Sequence, residues 1–265
     1  MNFMSLIAFL FAGTVLWYGV FSSGNSEVFI NLHAILIVIG GTIAAAAISF
    51  QVDRIFLLFG AFFRRVILGR KLNYVKIIED IIILADIYRT RQNELDKAIQ
   101  ETSDPFLKES MTAIVDQVLN KEQLLRVLRM RVNTIYQRQV EEMMKFRTVG
   151  KYPPAFGLMG TTLSMITLLQ KLGQSGGQKM IGPSMAIGLV ATFYGLALAN
   201  LVFNPVSENL HDSARETRLK NMIIVEGIRL ILENANALVL AEELNSFLLE
   251  NERVDWKKTQ ARKAA

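Results

Sequence analysis

The sequence predicts an all-α, polytopic membrane protein with four transmembrane helices and a helical cytoplasmic domain. Three observations carry that expectation. Apolar residues make up 51% of the 265, and mean hydropathy is positive. The 20% of residues that are charged are segregated rather than mixed in, which marks a membrane part joined to a solvated part. Four stretches then lack Asp, Glu, Lys and Arg altogether: Met1–Ser26, Val28–Val52 (which holds the usually neutral His33), Tyr152–Gln170 and Met180–Ser207. Each matches the ~20 apolar residues that a bilayer core demands of one helix. No strand-like alternation competes with this pattern.

Taken in order, Leu6–Phe21 is the first span, with Trp17 and Tyr18 near one end, where amphipathic rings favour the interface. It lacks a basic leader and a small-x-small cleavage site, so a retained helix is expected. Gly24-Asn25-Ser26 forms the outer turn. Phe29–Phe50 is the second span, and Gly40, Gly41 and Ala44 to Ala47 mark it as a close-packing helix. His33 falls at its headgroup boundary. Ile55–Leu68 is apolar but too short to span and is broken by Arg64 and Arg65, the pattern of a helix lying in the inner interface.

Beyond it the periodicity becomes that of soluble helices. Tyr74, Ile77, Ile78, Ile81, Ile82 and Ala85 recur at three and four. Asp104-Pro105 opens another helix, as N-cap and first helical residue. A long helix follows from about Glu122, and Gly150 and Pro153-Pro154 end it. A Gly-rich turn holding Gly173, Gly176 and Gly177 separates the last two spans. Asn209–Leu249 is expected as one amphipathic helix, and the basic tail Asn251–Ala265 as a mobile end. The domain boundaries that follow are 1–52 (spans one and two), 53–150 (cytoplasmic helical domain with the interfacial helix), 151–207 (spans three and four) and 208–265 (C-terminal helix and tail).

Charge sets the orientation. Arg54, Arg64, Arg65, Arg70 and Lys71 follow the second span, whereas Glu27 alone occupies the turn before it. Basic segments stay inside, so four spans put both termini in the cytoplasm. The net charge of +5 lies beside the spans and points to the inner leaflet rather than to nucleic acid. With no cysteine and only His33 and His211, there is no thiolate or histidine metal site, no disulfide framework and no cofactor motif. An enzyme is not expected.

The membrane half offers hydroxyls instead. Gly157, Thr161 and Ser164 form one stripe on the third span; Gly188, Thr192, Gly195 and Ala199 form another on the fourth. Such stripes let helices approach closely. Ion carriage through a membrane uses ionisable side chains, and none lies at depth here, so the carboxylate of an ion path has to come from a partner.

Residues Pro154 to Thr161, with Met185-Ala186, Ala191-Thr192-Phe193-Tyr194-Gly195, Ala199-Asn200 and Asn204-Pro205, resemble the last two membrane helices of flagellar stator A subunits, the MotA/PomA family. The resemblance implies a multi-pass channel subunit of the bacterial inner membrane that converts ion-motive force into torque. It implies a homo-oligomer, a pentamer, around a MotB/PomB-like subunit with an intramembrane Asp, acting on the flagellar rotor switch protein. Carried onto this chain, it makes Thr161 and Thr192 ion-path residues and Pro154 and Pro205 gating residues. It places the rotor contact at Arg89, Arg91 and Asp96. Threonine at both ion-path positions favours Na+ over H+ as the transported ion. The ExbB/TolQ class, which energises outer-membrane processes, is the alternative; its three spans fit less well.

Overall fold

The computed structural model describes residues 3–22, 24, 26–50, 72–173 and 177–254. The interfacial helix expected over Ile55–Leu68 and the tail from residue 255 onward lie outside them. Every regular element among the described residues is helical. In chain order these are α1 (Phe3–Phe21), α2 (residues 32–49), α3 (Tyr74–Thr90), α4 (Leu95–Glu101), α5 (Pro105–Val115), α6 (Lys121–Val149), α7 (Tyr152–Leu172), α8 (Ile181–Leu198), α9 (Asn204–Leu232) and α10 (Ala237–Asn245).

The chain divides into two compact units, residues 1–71 with 140–211 and residues 72–139 with 212–265. The first is the apolar one. Two stretches, Glu27–Ser49 and Ile181–Leu232, are long and apolar enough to cross a bilayer, two of the four spans expected. α7 has the length, 21 residues, but Pro153, Pro154, three threonines and Ser164 dilute its apolar character. α1 is an uncharged helix of 19 residues. Many large apolar side chains of this unit face outward, among them Ile48, Leu158, Leu169 and Leu189. That is the distribution of a surface solvated by lipid or by another subunit.

Inside the unit, α2 lays one face on α7 and α8. Ala34 and Val38 pack with Val190 and Ala191, and Ala46 packs with Met143, Phe146 and Phe203. Gly41 leaves the room in which the Phe156 ring lies. Tyr194 donates its hydroxyl to the Phe29 carbonyl and ties α8 to the start of this run. α2 is widened by a π-turn at Leu36–Gly40, followed by Thr42, whose hydroxyl donates to the Val38 carbonyl at 2.6 Å.

The second unit is a water-type helical domain with one core. Ile78, Ile81, Leu107, Met111, Leu128, Ile223, Ile228, Leu240 and Leu244 are fully buried in it, positions set by the three-and-four spacing of the sequence. Asp104 caps α5 as expected, accepting from the Phe106 and Leu107 amides at 2.9 and 3.0 Å. Its other oxygen receives the Lys220 ammonium at 2.5 Å, and both side chains are about 10% exposed, at 11% and 9%. Removing either partner would strand a buried charge, which costs ~3–5 kcal/mol.

Two expectations are corrected here. Asn209–Leu249 is not one helix: it stops at Leu232 and restarts at Ala237. Asn234 takes a left-handed φ of 57°, and the Ala235 amide donates to the Leu230 carbonyl at 3.0 Å, closing the helix end as such turns do. Asn236 then caps α10 by accepting from the Val239 amide at 2.9 Å. The start of the tail is also fixed. Val254 is buried and exchanges two hydrogen bonds with the Asn245 amide side chain, at 2.8 and 2.9 Å.

Candidate ion path between two helices

α7 and α8 meet along the two small-residue stripes. A Cβ at Gly157 would stand 2.9 Å from the Ala191 carbonyl oxygen and 3.0 Å from the Thr192 Cα. One at Gly188 would stand 3.0 Å from the Thr161 Cα, and one at Gly160 would stand 2.7 Å from the Ala191 Cβ. Gly195 is closed off in the same way by Pro153 and Pro154. The helix axes come this close because no side chain stands at those four positions.

That approach brings Thr161 and Thr192 together, their hydroxyl oxygens 2.5 Å apart. Thr161 Oγ1 also lies 2.9 Å from the Gly188 carbonyl and 3.2 Å from the Gly157 carbonyl. Thr192 Oγ1 lies 3.3 Å from the same Gly157 carbonyl. Each hydroxyl has one proton and two lone pairs. If Thr192 donates to Thr161 and Thr161 donates to Gly188, both protons are used and three hydroxyl lone pairs remain. Both residues are half-buried. The pair is therefore a compact cluster of neutral oxygens beside two glycine carbonyls, in two helices that hold no Asp, Glu, Arg or His and whose one lysine, Lys171, lies in the last turn of α7. It can replace part of a cation's water shell; it cannot by itself take up a proton near neutral pH.

The two prolines take different places. Pro154 lies in the first turn of α7, where its missing N–H is harmless, and packs against Gly195 at the other end of the α8 stripe. Pro205 follows a π-turn at Ala199–Phe203. Proline has no amide to give Leu201 and its ring crowds that carbonyl, so the widened turn is the local answer. The chain continues into α9 without a break, and a Cβ at Gly150 would lie 2.9 Å from the Phe203 Cβ.

Arg89, Arg91 and Asp96 are all exposed, in the second unit. They do not share one helix. α3 ends at Thr90, Arg91 has φ −143° and ψ 59°, a short turn covers Gln92–Glu94, and Asp96 lies in the first turn of α4. The nearest acidic groups to the arginines are local: Asp86 at 4.0 Å from Arg89 and Glu94 at 3.4 Å from Arg91. Sequence reasoning did not identify the Gly157 and Gly188 carbonyls as parts of the site. The four-residue spacing from Gly157 to Thr161 was the available signal, since a threonine hydroxyl reaches the carbonyl one turn back.

Residues 98–222 match the profile of the MotA/TolQ/ExbB proton channel family. The chain is 30% identical over 261 residues to Motility protein A of Borreliella burgdorferi, covering 96% of each protein. It is 26% identical to Chemotaxis protein PomA of Vibrio alginolyticus over 87% of this chain and 88% of that protein. Among solved structures, the flagellar MotAB stator complex from Bacillus subtilis matches with a TM-score of 0.82 at 24% identity, over 94% of this chain and 98% of the other. The MotAB structure from C. jejuni matches with a TM-score of 0.84 at 22% identity, over 96% and 99%.

Proposed function

The chain belongs to the motility protein A family, within the MotA/TolQ/ExbB proton channels, and from that premise we propose how it works. It is a flagellar stator subunit of the inner membrane, a channel component and not an enzyme. The observation that carries the mechanism is the Thr161–Thr192 pair: neutral oxygens clustered between two helices that offer no carboxylate and no imidazole. Such a pair lines a path and lowers the cost of dehydrating a cation, but the exchange of charge needs a carboxylate from elsewhere. A one-span B subunit with an intramembrane Asp supplies it. Four spans with both termini cytoplasmic, divided at 1–52, 53–150, 151–207 and 208–265, accommodate that partner at the outward-facing apolar surface of the first unit.

Ion passage at the threonine pair is coupled to movement through the two ends of the stripe. Pro154 rests on Gly195, and Pro205 follows the π-turn; such turns are adjustable points in a helix. Both are gating positions in this reading. Torque passes to the rotor switch protein at Arg89, Arg91 and Asp96, arranged on a turn between two helices. Several A subunits, five by family resemblance, surround the partner helices. Two hydroxyls at the path favour Na+ over H+, because a hydroxyl serves a metal cation's shell and adds nothing titratable.

An ExbB/TolQ-like role remains the second reading, since one profile spans both classes. The alignment with Motility protein A over 96% of both chains favours the stator. Deletion of the gene separates them: swimming is expected to stop and to return with the gene supplied in trans, with the flagellar filament intact throughout. A deletion strain that swims normally rejects the stator assignment.

A further inference from the structure

Beside the threonine pair lies a hydroxyl that the reading above leaves unused. Ser164 stands three residues beyond Thr161 on α7, on the same face and on the side away from Pro154. Its neighbours in the helix all treat their hydroxyls alike. Thr161, Thr162 and Thr167 each reach the carbonyl four residues earlier, at 3.2, 2.9 and 2.9 Å. Ser164 makes no hydrogen bond among the described residues. It is half-buried and lines a cavity of about 50 Å³ together with Thr161, Gly188, Met165 and Met185.

That cavity is small but not closed to solvent-sized species: one water takes ~10–15 Å³ of such volume. Gly188 makes it possible, because a Cβ there would lie 3.0 Å from the Thr161 Cα and 3.2 Å from the Ser164 Cβ. A half-buried hydroxyl without a hydrogen bond, beside Thr161 and Gly188 in a wall that also holds Met165, Leu168, Met185 and Leu189, is costly unless something polar meets it. We infer that Ser164 is a further oxygen of the ion path, receiving the cation or its last waters one turn outward of the Thr161–Thr192 pair. This rests on the reading of that pair as the ion path.

The test uses the absence of cysteine in this chain, so that each variant A subunit carries a single thiol, counted on the A subunit after it is separated from its partner. Ser164→Cys, Thr161→Cys and Leu163→Cys are made in the complex purified with its B subunit. Leu163 is 50% exposed and lies on the opposite side of α7. Silver ion, a small monovalent cation that caps thiolates, is applied, and the thiol left is counted with a maleimide after denaturation. Ser164→Cys is expected to react at a rate comparable with Thr161→Cys and well above Leu163→Cys. Reaction at position 161 with none at 164 above the control overturns the inference and leaves the threonine-pair path standing. No reaction above the control at either position overturns both.

A second measurement avoids the thiol. In rotating motors, Ser164→Ala is expected to raise the driving-ion concentration for half-maximal speed about fivefold, the equivalent of one neutral hydrogen bond. Speed at saturating ion is retained. An unchanged half-maximal concentration counts against Ser164.

Discussion

Thr161 shows how much one hydroxyl is asked to do. It touches Thr192 at 2.5 Å and two glycine carbonyls within 3.2 Å, so its loss removes an oxygen from the cluster and frees Thr192 to bond Gly157 instead. Thr161→Ala is expected to abolish or strongly weaken the sodium dependence of torque measured at fixed pH and membrane potential. A motor whose speed ignores external sodium before any mutation rejects the sodium reading outright. In the second unit, Asp80 is the residue to watch. Burial pushes its carboxyl above the ordinary value, Lys76 pulls the other way, and Glu79 and Asp104 add to the rise. A raised folded value means that the folded chain holds this proton more tightly than the unfolded chain does. The favourable contribution is then complete in acid, below the unfolded value, and is lost as pH rises through the folded one. Asp80→Asn is therefore expected to raise the melting temperature at neutral pH, with a gain that shrinks as pH falls through the carboxylate range. A gain that is the same at both ends of the range argues against this cause.

At the scale of the element, the helix breaks are what the sequence states locally and a periodicity search overlooks. Ile228, Ile231 and Leu232 continue a heptad-like rhythm into Leu240 and Leu244, and the rhythm alone joins them. Asn234 at φ 57° ends the helix all the same, since asparagine tolerates the left-handed region that branched residues avoid. Asn234→Gly is expected to be neutral or mildly stabilising, whereas Asn234→Val is expected to cost ~1–3 kcal/mol, read from thermal unfolding. Equal stability of the two variants argues against a conformational role for this turn. The corner it creates is held by Arg229, which pairs with Glu226, Glu233 and Glu243 at 2.5 to 2.6 Å and therefore holds its proton even more firmly than usual. The break at Arg91, with its extended φ of −143°, separates the proposed rotor contacts onto a helix end and a helix start. Exposed charge pairs contribute under ~1 kcal/mol each, so single reversals at Arg89, Arg91 or Asp96 are expected to be mild. The triple reversal is expected to stop swimming while leaving membrane assembly intact. Full swimming in the triple variant rejects the contact assignment.

For the whole molecule, the apolar unit leaves exposed a surface that no lone soluble protein keeps. Leu158, Leu163, Leu169, Leu189 and Leu196 are each about half or more exposed, at 63%, 50%, 64%, 64% and 49%. Lipid can cover part of it, but a proposed path without a carboxylate calls for a protein neighbour. Native mass measurement of the detergent-purified complex is expected to show several A subunits, five by resemblance, with B subunits bound. A monomer, or an assembly of one A with one B, rejects the ring.

The sequence by itself determined the helical class, the two kinds of solvent and the small-residue stripes. Hydrophobic runs, three-and-four spacing and caps such as Asp104-Pro105 are local properties, and physical chemistry reads them without knowing the neighbours. It also determined that the four apolar runs hold no carboxylate of their own, because every Asp and Glu falls outside them. The tertiary structure decided what no local pattern encodes: that Thr161 meets Thr192 across the helix pair, that both share the Gly157 carbonyl, and that Ser164, without a hydrogen bond among the described residues, lines a cavity. Those relations depend on the register between two helices. Register is set by which glycines face which backbones, and that is a property of the packed pair rather than of either helix.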